Sequence, residues 1–204
     1  MSSTARDTVQ QLATRQVILE AAYEEIHAHG FQGASLSKIL SSTNVTKGAL
    51  YHYFPTKLEL GYAVVDEILS EHIQQMWIHP LLEAEDPITA FKKIIMQAGN
   101  EITEDDIQCG CPLNNLAQEM APKDEGFRSR VEAVYRAWRK GIEKAFLKGQ
   151  ENGFVSKDVN VVSVATMIVA SLEGCMGLAK NAQSKKVLTQ CGRSIVDYLE
   201  SLRA

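Results

Sequence analysis

Residues 35–59 read Ser35-Leu-Ser-Lys-Ile-Leu-Ser-Ser-Thr-Asn-Val-Thr-Lys-Gly-Ala-Leu-Tyr-His-Tyr-Phe-Pro-Thr-Lys-Leu-Glu59, and this stretch decides the fold. Ser35 is placed to cap a short helix that ends near Thr43. Asn44 tolerates the left-handed backbone region better than other residues with a side chain, so it is expected to make the tight turn, with Val45 following as an apolar plug. Thr46 caps a second short helix over about Lys47 to Tyr53. Leu50 and Phe54, at i and i+4, face inward with Val45 and leave Lys47, Ala49, Tyr51, His52 and Tyr53 on the outward arc. Pro55 blocks continuation, and Thr56 with Glu59 has the form of a capping box opening a fourth helix that reaches about His79. Two short helices joined by a tight turn, the second capped and basic, constitute a helix-turn-helix.

The same window is electrically distinct. Between Ala34 and Leu58 there is no Asp or Glu, while Lys38, Lys47, Lys57 and His52 are present. The whole chain carries a net charge of −4, which excludes a uniformly basic coat but leaves room for one face that meets polyanions. Gly48 and Ala49 let the helix approach base edges closely, Lys47 can donate to guanine O6 and N7, and the tyrosine hydroxyls suit phosphate oxygens. Lys57 sits at a helix N-terminus, where its charge and the free amides would converge on one phosphate.

Working outward, apolar residues recur with a helical period and no run alternates with period two, so the chain reads as all-α with about nine helices. Helix one runs from about Thr8 to His29 on a stripe of Val17, Ile18, Ala21, Ala22 and Ile26, with Gly30 as its stop. Pro80 closes the fourth helix, and later starts are read at Asp86-Pro87, Cys111-Pro112, near Asp124, at Ser156-Lys157-Asp158 and at Ser184. The last two helices are apolar on more than one face, which predicts a subunit interface through Ala165, Ile168, Leu172, Leu188, Ile195 and Leu199. The expected organisation is a helix-turn-helix DNA-binding domain over 1–56 and a helical regulatory and dimerisation domain over 57–204.

With 204 residues, 45% of them hydrophobic and 23% charged, the chain can bury a core without disulfides or metal and is not disordered. Its most apolar stretch, 159–179, is broken by Asn160, Ser163, Thr166, Ser171 and Glu173 and reads as a poor bilayer span. The N-terminus lacks an apolar signal core, so a cytoplasmic protein with no membrane partner is expected. The four cysteines, at 109, 111, 175 and 191, are then free thiols. His27, His29, His72 and His79 show no zinc spacing, and neither a metal nor a cofactor is expected. Trp77, Phe91, Met96, Met120, Phe127, Tyr135, Trp138 and Met167 lie on helices that would surround an apolar ligand pocket, with ordinary core positions as the alternative. Glu173 is the only charge in the apolar stretch and is either a paired group at a dimer seam or a polar anchor in the pocket.

Residues 44–57, preceded by Thr14-Arg-Gln-Val-Ile-Leu-Glu-Ala-Ala22 and Gly30-Phe-Gln-Gly-Ala-Ser35, resemble the DNA-binding domain of the tetracycline-repressor (TetR) family. The resemblance implies an all-helical homodimer with a three-helix DNA-binding unit, a connecting fourth helix and a ligand-responsive domain. It puts Lys47, Gly48, Ala49 and His52 against bases, and Ser35, Tyr51, Tyr53 and Lys57 against phosphates; Ser37 completes the expected DNA-binding set. Asn44 departs from the glycine usual in that family. Farther on, Gly110-Cys-Pro-Leu-Asn-Asn-Leu-Ala-Gln-Glu119 resembles the glycine-cysteine motif of a TetR subgroup that includes an N-ethylmaleimide-responsive repressor. A thiol at Cys111 would cap a helix opened by Pro112, where the helix dipole lowers its pKa and suits it to sensing electrophiles, with Cys109 as a resolving thiol; packing at a helix start is the alternative. The function expected is a dimeric repressor, not an enzyme, released from a palindromic double-stranded operator by a small molecule or by thiol modification. A cysteine-dependent enzyme and a helical interaction protein without DNA binding are the rival classes.

Overall fold

Helix ends in this chain are set by side chains that satisfy backbone groups left free there. The structure, a computed structural model, describes the backbone of residues 3–204 and the side chains of residues 11–204. Helix α1 spans Ser3–Gly33, starting before the expected Thr8 and broken, not ended, by Gly30 at φ 73°. The amides of Phe31 and Gln32, freed by that break, both donate to the Glu119 carboxylate at 2.8 Å, and the chain resumes one more turn. Val17 is exposed and does not join Ile18, Ala22 and Ile26 in the buried stripe.

Helix α2 spans Leu36–Ser41 and α3 spans Lys47–Tyr53. Ser35 stands at the N-cap of α2 but makes no side-chain cap bond; instead its amide donates to Glu25 Oε1 at 3.0 Å. The expectation of a left-handed Asn44 fails, because Gln183 is the only described non-glycine residue with a positive φ. The hydroxyls of Ser41, Ser42 and Thr43 donate back to the carbonyls of Lys38 and Ile39, closing α2 without the left-handed residue a glycine would supply. Thr46 caps α3 by accepting from the Ala49 amide at 3.2 Å. The Thr56–Glu59 capping box is formed and opens α4 at Lys57.

Helix α4 runs over 57–83 and includes wide π turns at Val64–Leu69 and Gln74–Ile78. Pro80 does not end it: the proline lies in the closing segment His79–Glu83, directly after the second wide turn. Helix α5 (Pro87–Glu101) is capped by Asp86, which accepts from the amides of Ile88 and Thr89. An unexpected helix α6 covers Glu104–Cys109 behind a reciprocal Thr103–Asp106 box. Helices α7 (Pro112–Met120) and α8 (Glu125–Glu151) follow. Helix α9 starts at Val161 on an Asn160 cap and runs to Ala182. The Gln150 side chain bonds the carbonyls of Ser156 and Val159, holding the expected start at Ser156–Asp158 out of the helix. Helix α10 covers Lys185–Glu200.

The chain forms two compact units, one reaching to Ser70 and including Asn115–Val131, the other formed by Glu71–Asn114 and Glu132–Ala204. The expected boundary after residue 56 therefore falls inside the first unit. The reason is packing: Gly61 of α4 lies so close to α1 and α8 that a Cβ there would meet Phe31 at 2.6 Å and Phe127 at 2.7 Å, and those two rings meet edge to face at 4.6 Å. In the second unit α9 and α10 pack together and α10 packs on α5. Arg203 fastens the end of the chain there, bonding Asp86, Thr89 and Glu200. Among the described residues one helix, Val161–Ala182, is long and apolar enough to cross a membrane by length and composition.

Two outcomes follow. Gly61→Ala forces the two phenyl rings apart and should destabilise the chain by about 1–3 kcal/mol, read as a fall in Tm by scanning calorimetry. Burial alone would raise the Glu119 carboxyl, but the Gln32 and Phe31 amides outweigh it and hold it below the usual range. A lowered folded pKa stabilises fully above the unfolded value, and the gain is lost as pH falls through the lowered one. The stability advantage of wild type over Glu119→Gln should thus be largest at neutral pH and shrink on acidification in urea melts.

Candidate functional site

Helix α3 buries Leu50 and the following Phe54 and exposes Lys47, Gly48, Tyr51 and His52, with Ala49 and Tyr53 half-buried. Burying two side chains on one stripe turns the rest of a seven-residue helix outward. Lys47 lies over the Tyr51 ring at 5.8 Å, one turn on, and His52 meets Tyr53 edge to face, so the outward side chains brace one another. Arg15 of α1 sits 5.1 Å over the Phe54 ring and forks onto both Glu67 oxygens of α4 at 2.6 Å. Ser37 and Lys38 are exposed on α2, and Ser35 is half-buried.

Lys57 has a task that sequence reasoning missed. Its ammonium donates to the carbonyls of Ala34 at 2.6 Å and Gln32 at 3.2 Å, and lies over the Phe31 ring. An ammonium has three donors, so one is left for an anion outside while two close the end of α1. The residue is a helix-end clamp as well as a phosphate candidate, and only the partner carbonyls, distant in sequence, reveal it.

In the C-terminal unit the expected sensor and part of the expected pocket come together. Cys111 donates to Glu173 Oε1 at 3.5 Å, and the Tyr135 hydroxyl lies beside the same carboxylate. Burial, then the Glu173 charge, pushes the Cys111 thiol up, outweighing the amides of Asn114 and Leu113 at the helix start. The expectation of a lowered thiol pKa is therefore corrected: desolvation beside a carboxylate wins over the helix N-terminus. Burial likewise raises the Glu173 carboxyl. Cys175 and Cys191 are hydrogen-bonded to each other, and burial followed by that bond takes Cys175 up to about 12.

Tyr135 and Trp138 lie one turn apart on α8. Trp138 lies 5.4 Å from Trp77 with the ring planes tilted by 39°, and Trp77 lies 5.8 Å from Phe91, so these three form one aromatic chain. The other expected pocket residues lie elsewhere. Met96 and Met167 are 64% and 54% exposed, while Met120 and Phe127 belong to the N-terminal unit, where Phe127 fills the core between Phe31 and Tyr62. Two buried side-chain atoms in the described residues have no hydrogen-bond partner, Trp138 Nε1 and Glu173 Oε2, and each costs about 1–3 kcal/mol. A separate groove of about 1020 Å³, lined by Met76, Ile94, Gln97, Glu83 and Glu101 among others, contains none of the expected pocket residues.

Four of the six residues expected at an interface face inward. Ala165, Ile168, Ile195 and Leu199 are buried within the protomer, which leaves them no surface for a partner; Leu172 and Leu188 are half-buried. The open apolar face of α9 carries Val162, Met167, Ala170, Gly174, Gly177 and Leu178, whereas the exposed side of α10 is polar, with Thr189, Gln190, Arg193 and Asp197.

Comparison with known proteins places the chain in a family. Residues 18–64 match the family of bacterial regulatory proteins of the tetR family, and residues 87–194 match the C-terminal domain of LmrA/YxaF-like transcriptional regulators. An HTH-type transcriptional regulator encoded in the lacX 3′ region of Lactococcus lactis is 29% identical over 180 residues, covering 86% of this chain and 87% of that protein. The HTH-type transcriptional repressor NemR of Escherichia coli K12 is 27% identical over 68% of this chain and 70% of its own length. A TetR-family regulator from Cytophaga hutchinsonii superposes with a TM-score of 0.82 at 20% identity, over 96% of this chain and 97% of that one. The chain belongs to the TetR family of transcriptional regulators, with an N-terminal DNA-binding domain and an LmrA/YxaF-like C-terminal domain, and is not an enzyme.

Proposed function

We propose that this regulator is a cytoplasmic homodimeric repressor that binds a palindromic operator through α3 and leaves it when a small molecule occupies the C-terminal unit. The observation that carries the DNA reading is α3 itself, whose Lys47, Gly48, Tyr51 and His52 are free for the major groove while Leu50 and Phe54 hold it in place. Lys47 and His52, with the small Gly48 and Ala49, suit base edges; Tyr51, Tyr53, Ser35, Ser37 and the third donor of Lys57 suit phosphates. The open face of α9 supports a dimer: side chains built at Gly174 or Gly177 would meet nothing within 4 Å, so a second α9 can approach closely there with Met167 and Leu178 on its flanks. A relative named as a repressor, NemR, supports repression over activation.

For release, the paired aromatic and polar groups around Trp138 and Glu173 favour a small molecule over thiol chemistry. Cys111 has its thiol held protonated by burial and by Glu173, and a protonated thiol is a poor nucleophile.

Footprinting on the chain's own upstream DNA tests the reading: two-fold symmetric protection is expected, and a single asymmetric half-site would refute it. Lys47→Ala should reorder the ranking of operator variants at a cost of about 1–3 kcal/mol, while Tyr51→Ala weakens all sequences and flattens the salt dependence. Lys57→Ala alone of the three should also lower Tm, because it strips the end of α1. Glutamates at both Met167 and Leu178 should give monomers of unchanged Tm in light scattering, whereas Ile195→Glu should unfold the unit. In competitive alkylation at neutral pH, Cys111 should label no faster than Cys175.

A further inference from the structure

A buried carboxylate is tolerable when a cation or several donors compensate it. Glu173 is 8% exposed and is the buried charged residue of the described core. What faces it is a thiol and a hydroxyl, Cys111 and Tyr135, and Oε2 has neither. One turn along α8 from Tyr135, Trp138 is 3% exposed and its indole N–H points at no acceptor. The two orphaned atoms are thus of opposite kind, an acceptor that carries charge and a neutral donor. The Trp138 ring lies against Trp77, which lies beside Phe91, and Tyr135, one turn away on the same helix, links this aromatic group to Glu173.

The chemistry that completes this set is narrow. An anion would meet the Glu173 charge and is excluded. A neutral alcohol or amide could bond Oε2 but would leave the charge uncompensated in an apolar surround. An ammonium supplies both a donor and the opposite charge, and aromatic faces attract it further. A metal ion is a poor fit, since the described residues contain no group of three acidic, thiol or imidazole ligands. The indole N–H calls for an ether or carbonyl oxygen on the same molecule, and the row of aromatic rings calls for an aromatic body.

We infer that the C-terminal unit binds an aromatic organic amine in its protonated form, with the ammonium on Glu173 and an acceptor oxygen on Trp138. This names the ligand class for the small-molecule release proposed above and rests on that reading. The side chains around Glu173 and Trp138 part to admit the ligand, which then makes the two missing hydrogen bonds.

Trp77 and Trp138 are the two tryptophans of the chain, so intrinsic fluorescence of the full-length protein reports on the site. The probes are para-methoxyphenethylamine, which carries an ammonium and an ether oxygen, and para-methoxyphenethyl alcohol, its neutral counterpart. Wild type should bind the amine at least about tenfold more tightly than the alcohol, a difference of about 1.4 kcal/mol. Glu173→Gln should erase that preference while still binding the alcohol. Equal affinities in wild type, a preference that survives Glu173→Gln, or no saturable quenching by either probe overturns the inference. Glu173→Gln and Glu173→Leu should melt no lower than wild type, since each removes an uncompensated charge; a clear fall in Tm for both shows the charge already compensated and also overturns it. Operator binding separates this site from the release reading. Glu173-dependent amine binding that leaves the operator complex intact upholds the site and refutes its role in release, and release by the amine from wild type and Glu173→Gln alike does the reverse.

Discussion

Helix α3 is too short to persist by itself, since isolated helices below about 12–15 residues are marginal in water. It exists because Leu50 and Phe54 are buried and because both of its ends are closed, by the Thr46 hydroxyl at the start and by the Phe54 amide on Leu50 O at the finish. The DNA reading proposed for α3 depends on that economy. Any wider apolar stripe would have consumed positions 47, 48, 51 or 52, and any narrower one would have let the helix fray. Arg15 completes the arrangement by covering the Phe54 ring while its fork holds Glu67, so α1 and α4 are joined across the residue that anchors α3.

Long polar side chains do the work of closing helix ends throughout the molecule. At the break in α1 a carboxylate, Glu119, takes the freed amides, and an ammonium, Lys57, takes the last carbonyls, the polarity that helix ends prefer. In the C-terminal unit Lys148 repeats the second half of this device on the carbonyls of Leu82 and Ala84 at the end of α4. Each contact ties a helix end to a residue far along the chain, so secondary structure and tertiary packing are fixed by the same bonds.

That coupling explains which features were legible in the sequence. Thr46, the Thr56–Glu59 box, Asp86-Pro87 and Pro112 act on residues within one turn, and each is readable from local pattern alone; the Thr103–Asp106 box is equally local. Asn44 misled because three neighbouring hydroxyls closed the turn by another route. The clamp made by Lys57 was not legible because its carbonyl partners lie more than twenty residues away. The aromatic and methionine residues assigned to one pocket were chosen by composition, which cannot tell that Phe127 packs on Phe31 while Trp138 packs on Trp77. For α9 and α10, apolar periodicity identified buried residues correctly but could not say whether they were buried by the same chain or by a partner. Ala165 and Ile195 answer that only once the neighbouring helices are in place.

The two units differ in how completely their polar groups are satisfied, and the difference has a functional sense. A surface that reads DNA has to be formed before it meets its target, because ordering it on contact would subtract from affinity; the N-terminal unit accordingly shows no orphaned buried side chain among the described residues. A unit that responds to a ligand is under the opposite demand. A ligand shifts an equilibrium only by the difference in its affinity for the two states, and that difference has to come from groups whose bonding changes on binding. A core with every donor and acceptor paired offers nothing of the kind. In the ligand reading proposed above, Glu173 Oε2 and Trp138 Nε1, both in the C-terminal unit, are the groups whose bonding would change on binding, and Glu173 already accepts from Cys111 at the start of α7. A cation bonded to Oε2 would share its carboxylate with the Cys111 thiol on Oε1, which couples the proposed site to the start of α7.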